Sequence, residues 1–206
     1  INSALCFRTP DGVLDTWVEL LDDPIWTPAA VLPVVEEVER IIGVSMTPDA
    51  IAGENNLIIM RGARNLGYPG GLAPRNTPGC TGCGTCNFGC PVNGKASTNI
   101  TLLPRATRAG ALIQAETKVE EILVENGRAR GVAGVAIHPD TSERGGRVEV
   151  RADRVLLACG AIGTPRLLWH SGLAASMGPV GEGLNVHPGS AVLGLCDQPV
   201  YLWRGA

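Results

Sequence analysis

Residues 68–96 hold so much glycine and proline that neither a helix nor a strand can run far through them. Inside this stretch sit Cys80, Cys83, Cys86 and Cys90, with Pro91 directly after. A loop of that length within a folded chain is commonly functional or held by a ligand. The spacing C-x2-C-x2-C-x3-C-P is the iron–sulfur run of bacterial ferredoxins. It leaves three outcomes open: an iron–sulfur centre, one or two disulfides, or thiols that stay free or share a zinc ion. In two-cluster ferredoxins the fourth cysteine of such a run serves the other cluster, and no second run occurs here. One run therefore supplies three ligands to one centre, and a three-iron centre, or a cubane using Cys90 or a distant ligand, is what the spacing would require.

Upstream of the loop the pattern is helical. Asp11 can cap a helix to about Leu21, with Val13, Leu14, Trp17, Leu20 and Leu21 on one face. Thr27-Pro28 opens a second helix that Gly43 ends, and Glu36, Glu37, Glu39 and Arg40 form its wet face. Thr47-Pro48 opens a third, running to about Gly67. Thr98–Gly110 looks helical, bent or begun again at Pro104. The pattern then changes to strands at 111–116 and 119–125, with Asn126-Gly127 as a two-residue hairpin turn. Residues 128–138 pair back, a polar turn covers 139–146, and 147–151 returns. Arg154–Ala158 (RVLLA) reads as a buried strand that ends at Cys159-Gly160, and Thr164-Pro165 starts another helix. The organisation expected is a helical segment over 1–75, a cysteine-rich loop over 76–97 and a strand-rich portion over 98–206.

Composition narrows the function classes. The chain of 206 residues is 45% hydrophobic and 18% charged with a net charge of −3, so it is globular and carries no basic field for nucleic acid. No apolar run approaches the roughly 20 residues of a membrane-spanning helix. Glycine is abundant, at 27 residues, as in folds whose backbone approaches a cofactor closely. Seven cysteines are too few for a disulfide scaffold; four of them clustered point to metal or redox work in a reducing space. That favours the cytoplasm without fixing the compartment. A chain that opens on Ile1 without a leader pattern and stops without a closing element reads as a fragment of a longer protein.

The segment Gly160–Leu173 (GAIGTPRLLWHSGL) resembles the second signature of the glucose–methanol–choline (GMC) flavin oxidoreductases, departing at its last position, where Ala174 stands for a glycine. The opening INSALCFRTP resembles the tail of that family's first signature, and VGEGLNVHP (180–188) a further recurrent segment. Asn87–Thr98 followed by LLPRA resembles a subgroup with long-chain alcohol and sterol-type oxidases and some dehydrogenases. The resemblance implies an α/β (α+β) fold: an incomplete FAD-binding domain with a parallel-sheet core at Arg154–Ala158, an attached antiparallel hairpin layer and N-terminal helices. It implies FAD as cofactor, with Asn2 near the flavin ring, Val119 backbone near the adenine, and Ala158, Gly160, Ala161 and Thr164 along the dinucleotide. A strand ending in Gly-Ala and a helix start with free N–H groups suit that ligand physically.

The same resemblance implies oxidation of an alcohol CH–OH by hydride transfer to flavin, with oxygen, a quinone or a cytochrome as acceptor. Some GMC dehydrogenases hold a three-iron cluster at a cysteine-proline segment similar to this one, which would make Cys80, Cys83, Cys86 and Cys90 its ligands. The family's G-x-G-x-x-G loop and its C-terminal acid/base pair are absent from these 206 residues, so no catalytic residue is assigned. The fragment alone is expected to turn nothing over, to hold FAD weakly and to expose apolar surface. Two other functions stay open: a ferredoxin-type electron carrier and a non-catalytic flavin-fold module. His138, His170 and His187 read as turn or surface residues, and Cys6, Cys159 and Cys196 receive no role.

Overall fold

The structure, a computed structural model, describes residues 4–191, 193–201 and 203–206. It divides into two compact units, Ile1–Ala111 with Gly194–Ala206, and Leu112–Leu193.

The first unit is built on four helices: α1 (Asp11–Leu21), α2 (Pro28–Ile42), α3 (Glu54–Asn65) and α4 (Leu102–Arg108). Extended Pro10 takes the cap position of α1, so Asp11 is not the cap; its carboxylate sits in the first turn, where the helix dipole favours a negative charge. Of the apolar face expected on α1 only Leu14 is buried, and Trp17 meets Trp26 edge-on with ring centroids 5.4 Å apart. Helix α2 starts and stops where Thr27-Pro28 and Gly43 place it, and the left-handed Gly43 closes it by donating to the Glu39 carbonyl. Its polar face is wet: Glu37 pairs with Arg40, and Glu39 takes two hydrogen bonds from Arg8.

Helix α3 begins later than the Thr-Pro signal suggests. Thr47 is buried and donates its hydroxyl to the Ala73 carbonyl at 2.8 Å, beside the two-residue strands β1 (Ser45–Met46) and β2 (Pro74–Arg75), which pair antiparallel. That tertiary bond holds the chain in extended form. A single 3-10 turn follows at Asp49–Ile51, and the helix proper waits until Glu54.

The second unit is a three-stranded antiparallel sheet with one helix on it. Strands β3 (Thr117–Glu125), β4 (Arg128–Ile137) and β5 (Arg144–Arg151) lie in sequence order. Asn126 and Gly127 both take the left-handed conformation, with φ of 52° and 73°, as a tight two-residue hairpin requires. Opposite, the β3–β4 register slips by one residue between Val119 and Glu121. Gly134 is required there, because a Cβ would run into the Lys118 carbonyl. The helix α5 (Gly160–His170) packs on β3, with Ile122, Leu167, Leu168 and Ala174 as the buried cluster. Ser171 pins the end of α5 to the sheet: its hydroxyl accepts the Ile122 N–H at 2.9 Å and donates to the Leu167 carbonyl at 2.8 Å.

Two expectations are corrected and a third is not met among the described residues. Residues 111–116 form no strand, and Leu112 is 98% exposed. The parallel core is not found: both sheets among the described residues are antiparallel, and Arg154–Ala158 is paired to neither. A parallel strand exists only where neighbours complete its ladder, and Leu156, at 87% exposure, has none over it. Finally, α5 starts at Gly160 rather than Thr164, so Pro165 lies inside the helix and offers no N–H to the Ala161 carbonyl four residues back.

Candidate functional site

One side of α5, from Gly163 to its last residue His170, and Cys159 just before the helix face the bulged end of β3 across one cleft. Val119, Lys118 and Glu120 line it from the strand; Cys159, Gly163, Arg166, Leu167 and His170 line it from the helix side. Its volume is about 390 Å3, within the range of small-ligand sites. Gly163 lets the turn close tightly, because a Cβ there would stand 2.9 Å from the Cys159 Cβ. The Thr164 hydroxyl accepts the Cys159 N–H at 3.2 Å, which ties the turn to the helix it opens. The first N–H groups of α5 have no carbonyl a turn earlier to bond, so this end of the helix is a donor surface.

Charge in the cleft is uneven. Glu120 takes two hydrogen bonds from Arg144, both 2.7 Å, and an ion pair from Lys118 at 3.0 Å. The Arg144 guanidinium and then the Lys118 ammonium hold its carboxyl at about 2, well under the ordinary carboxylate range. The one carboxylate on the cleft is thus shared between two cations, and Arg166 adds a third.

Among the residues expected to meet a cofactor, Val119 is brought to the cleft wall, opposite the Cys159–Gly163 turn. Gly160 and Ala161 are exposed in the first turn of α5, and Ala158 is exposed just before it. Thr164 is half-buried in its bond to Cys159. Asn2 lies outside the described residues. Sequence reasoning missed Arg166, His170 and Cys159 as cleft residues. The signal was available: Gly163, Arg166, Leu167 and His170 follow the i, i+3, i+4, i+7 spacing of one helix face.

In the first unit Cys80, Cys83, Cys86 and Cys90 all line one small cavity, with room for about 10 Å3, and all are free thiols. Each sulfur has a polar partner. Cys80 accepts the Gly82 N–H at 3.3 Å and Cys90 the Lys95 N–H at 3.3 Å; Cys83 lies 3.1 Å from the Thr85 hydroxyl. The buried Arg75 donates Nη2 to Cys86 at 2.9 Å. The Thr85 hydroxyl lowers the pKa of Cys83, and the Lys95 N–H that of Cys90. Such donors suit sulfurs that carry charge. The spacing does not suit a metal as it stands: among the described residues no three of His, Cys, Asp and Glu are grouped to hold an ion, and the cavity admits about one water. No step is therefore drawn through an iron–sulfur centre.

The GMC oxidoreductase family profile matches residues 1–189. This chain belongs to the GMC oxidoreductase family. An uncharacterized GMC-type oxidoreductase of Mycobacterium tuberculosis is 37% identical over 205 residues, covering 100% of this chain and 32% of that protein. A long-chain-alcohol oxidase of Arabidopsis thaliana is 30% identical over 198 residues, 91% of this chain and 26% of its own length. A 2-methyl-1,2-propanediol dehydrogenase of Mycolicibacterium austroafricanum is 37% identical over 106 residues, 48% of this chain and 18% of its own. The GMC chain thus spans about a third of the first curated relatives it matches. No solved structure matches it. Among the described residues no helix is long and apolar enough to cross a membrane.

Proposed function

We propose that this chain supplies part of the FAD-binding domain of an oxidoreductase that oxidises the CH–OH group of an alcohol. The observation that carries the proposal is the β3–α5 cleft. In a GMC family chain, Val119 faces Cys159 and Gly163, the two ends of the glycine-bearing turn, across one space large enough for an adenosine. The residues fit the group: a bulged strand offers backbone, Gly163 allows close approach, and the helix start offers donors. The Val119 backbone would meet the adenine, and Gly160, Ala161 and the Thr164-fixed turn would border the dinucleotide. When bound, FAD supplies the hydride acceptor. The chain's own residues would hold the cofactor, and none of them is assigned the proton of the alcohol.

Support for the substrate class comes from the relatives that oxidise long-chain alcohols and a diol, and the first of these favours a bulky apolar alcohol. The acceptor is oxygen or a quinone or cytochrome. In the whole protein, Arg154–Ala158 is proposed to join a parallel sheet, which would cover the exposed Leu156. The test is an absorbance spectrum of the full-length protein followed by anaerobic addition of a long-chain alcohol. Bleaching of a flavin band supports the proposal; absence of bound flavin, or a flavin that no alcohol reduces, refutes it.

A second reading concerns electron exit. Four sulfurs line one cavity, each with a donor, but as they stand no three of them are grouped to hold an ion, so an iron–sulfur centre at Cys80, Cys83, Cys86 and Cys90 would require the loop to open. Iron and labile sulfide in anaerobically purified full-length protein decide it. Their absence leaves oxygen as the favoured acceptor.

A further inference from the structure

Four of the five arginines on the sheet of the second unit are paired, and Arg128 is the exception among the described residues. Arg130 meets Asp153, Arg144 meets Glu120, and Arg147 and Arg151 share Glu149. Arg166 combines two features that Arg128 and Arg154, which also lack a carboxylate partner among the described residues, do not combine. It faces the β3–α5 cleft, and no carboxylate pairs with it among the described residues. Nor does the cleft offer one. Among the described residues Glu120 is the only acidic one that lines the cleft, and Lys118 and Arg144 already occupy it. With Lys118 and Arg166 on its lining against the single carboxylate of Glu120, which Lys118 already meets, the charge of Arg166 is uncompensated within the cleft. A guanidinium projecting from one helix turn beyond a helix start recognises a phosphate well, because it presents two parallel N–H groups.

We propose that Arg166 is a cofactor-positioning residue that takes a phosphate of the adenosine half of FAD. This rests on the assignment of the cleft to FAD. It makes the cleft selective for phosphorylated adenosine: adenosine alone lacks the group that Arg166 holds, and riboflavin lacks both phosphate and adenine. Lys118 contributes less, because its charge is spent on Glu120.

The test is titration of flavin-stripped full-length protein with FAD, followed by flavin fluorescence, with ADP and adenosine as competitors. Wild type is expected to bind FAD, and ADP is expected to displace it far better than adenosine does. Arg166→Gln should weaken FAD and ADP by about ten- to a hundredfold, the loss of one charge-assisted hydrogen-bonded contact, and leave adenosine unchanged. The preference for ADP over adenosine should shrink with it, and binding should become less sensitive to salt. Arg166→Lys should restore part of the affinity. Arg128→Gln, which removes an exposed arginine outside the cleft, is the folding and surface-charge control. Equal ADP affinity in wild type and Arg166→Gln overturns the assignment of Arg166 while leaving the cleft to FAD. A wild-type protein that binds neither FAD nor ADP overturns both.

Discussion

The cysteine cavity and the β3–α5 cleft differ in what they leave uncommitted. Around the cysteines, each sulfur already meets an N–H or hydroxyl, the guanidinium of Arg75 is buried, and the free space holds about one water. The cleft is far larger, at about 390 Å3, and it is lined by a guanidinium, that of Arg166, with no carboxylate partner among the described residues. Satisfied polar groups in a closed space stabilise the chain that makes them; unsatisfied ones beside an open space are what a ligand binds. The comparison assigns the cysteine pocket first to holding a long loop and the cleft first to recognition.

The largest effect expected is at Gly163. A Gly163→Val change drives a branched side chain into Cys159, already 2.9 Å from a mere Cβ, so it should cost about 1–3 kcal/mol of stability and abolish measurable FAD binding. Normal FAD affinity in this variant would break the cleft half of the comparison. Next is Arg75→Leu, which takes the donor from Cys86 in a buried setting and should lower stability by about 1–3 kcal/mol in urea unfolding. An unchanged midpoint would mean that the pocket does not hold the loop.

Ser171→Ala should cost about 1 kcal/mol, because the Ile122 N–H then loses its acceptor. Thermal unfolding would reveal it. The smallest effect is at Glu120. Its pKa is depressed to about 2, so its ion pairs stabilise the fold fully above the unfolded carboxylate pKa, and that contribution is lost as pH falls from the unfolded value towards 2. Glu120→Gln should therefore flatten the stability profile between about pH 4 and 2. The difference from wild type should be present at neutral pH, small because the group is solvent-exposed and screened, and should vanish below about pH 2. A profile unchanged by the substitution would remove the network as a pH-dependent element.

Local chemistry made part of this legible. Thr27-Pro28 and Gly43 bound α2, and Asn126-Gly127 fixes the hairpin, because caps and tight turns are decided by a few neighbouring residues. What depends on distant partners was not legible. Thr47-Pro48 has the pattern of a helix start, yet the Thr47 hydroxyl donates to the Ala73 carbonyl across a loop. The strand read at Arg154–Ala158 has β-rich composition but no neighbour to pair with. In the cleft, the resemblance pointed to Val119 and to the turn after Ala158. The cationic lining was hidden because Lys118, Arg166 and His170 look like ordinary surface residues until strand and helix are packed together.

The central claim is that the cleft between β3 and α5 receives the adenosine half of FAD. Cys159 stands on its wall and is exposed, while the equally exposed Cys196 is not among its lining residues and serves as an internal control. Alkylating the full-length protein with and without FAD, and reading each cysteine by peptide mass spectrometry, tests this directly. The account predicts that FAD slows modification of Cys159 at least tenfold and leaves Cys196 unaffected, the size expected when a bound ligand holds most of the protein closed. Equal labelling of Cys159 in both states, with flavin demonstrably bound, would contradict it.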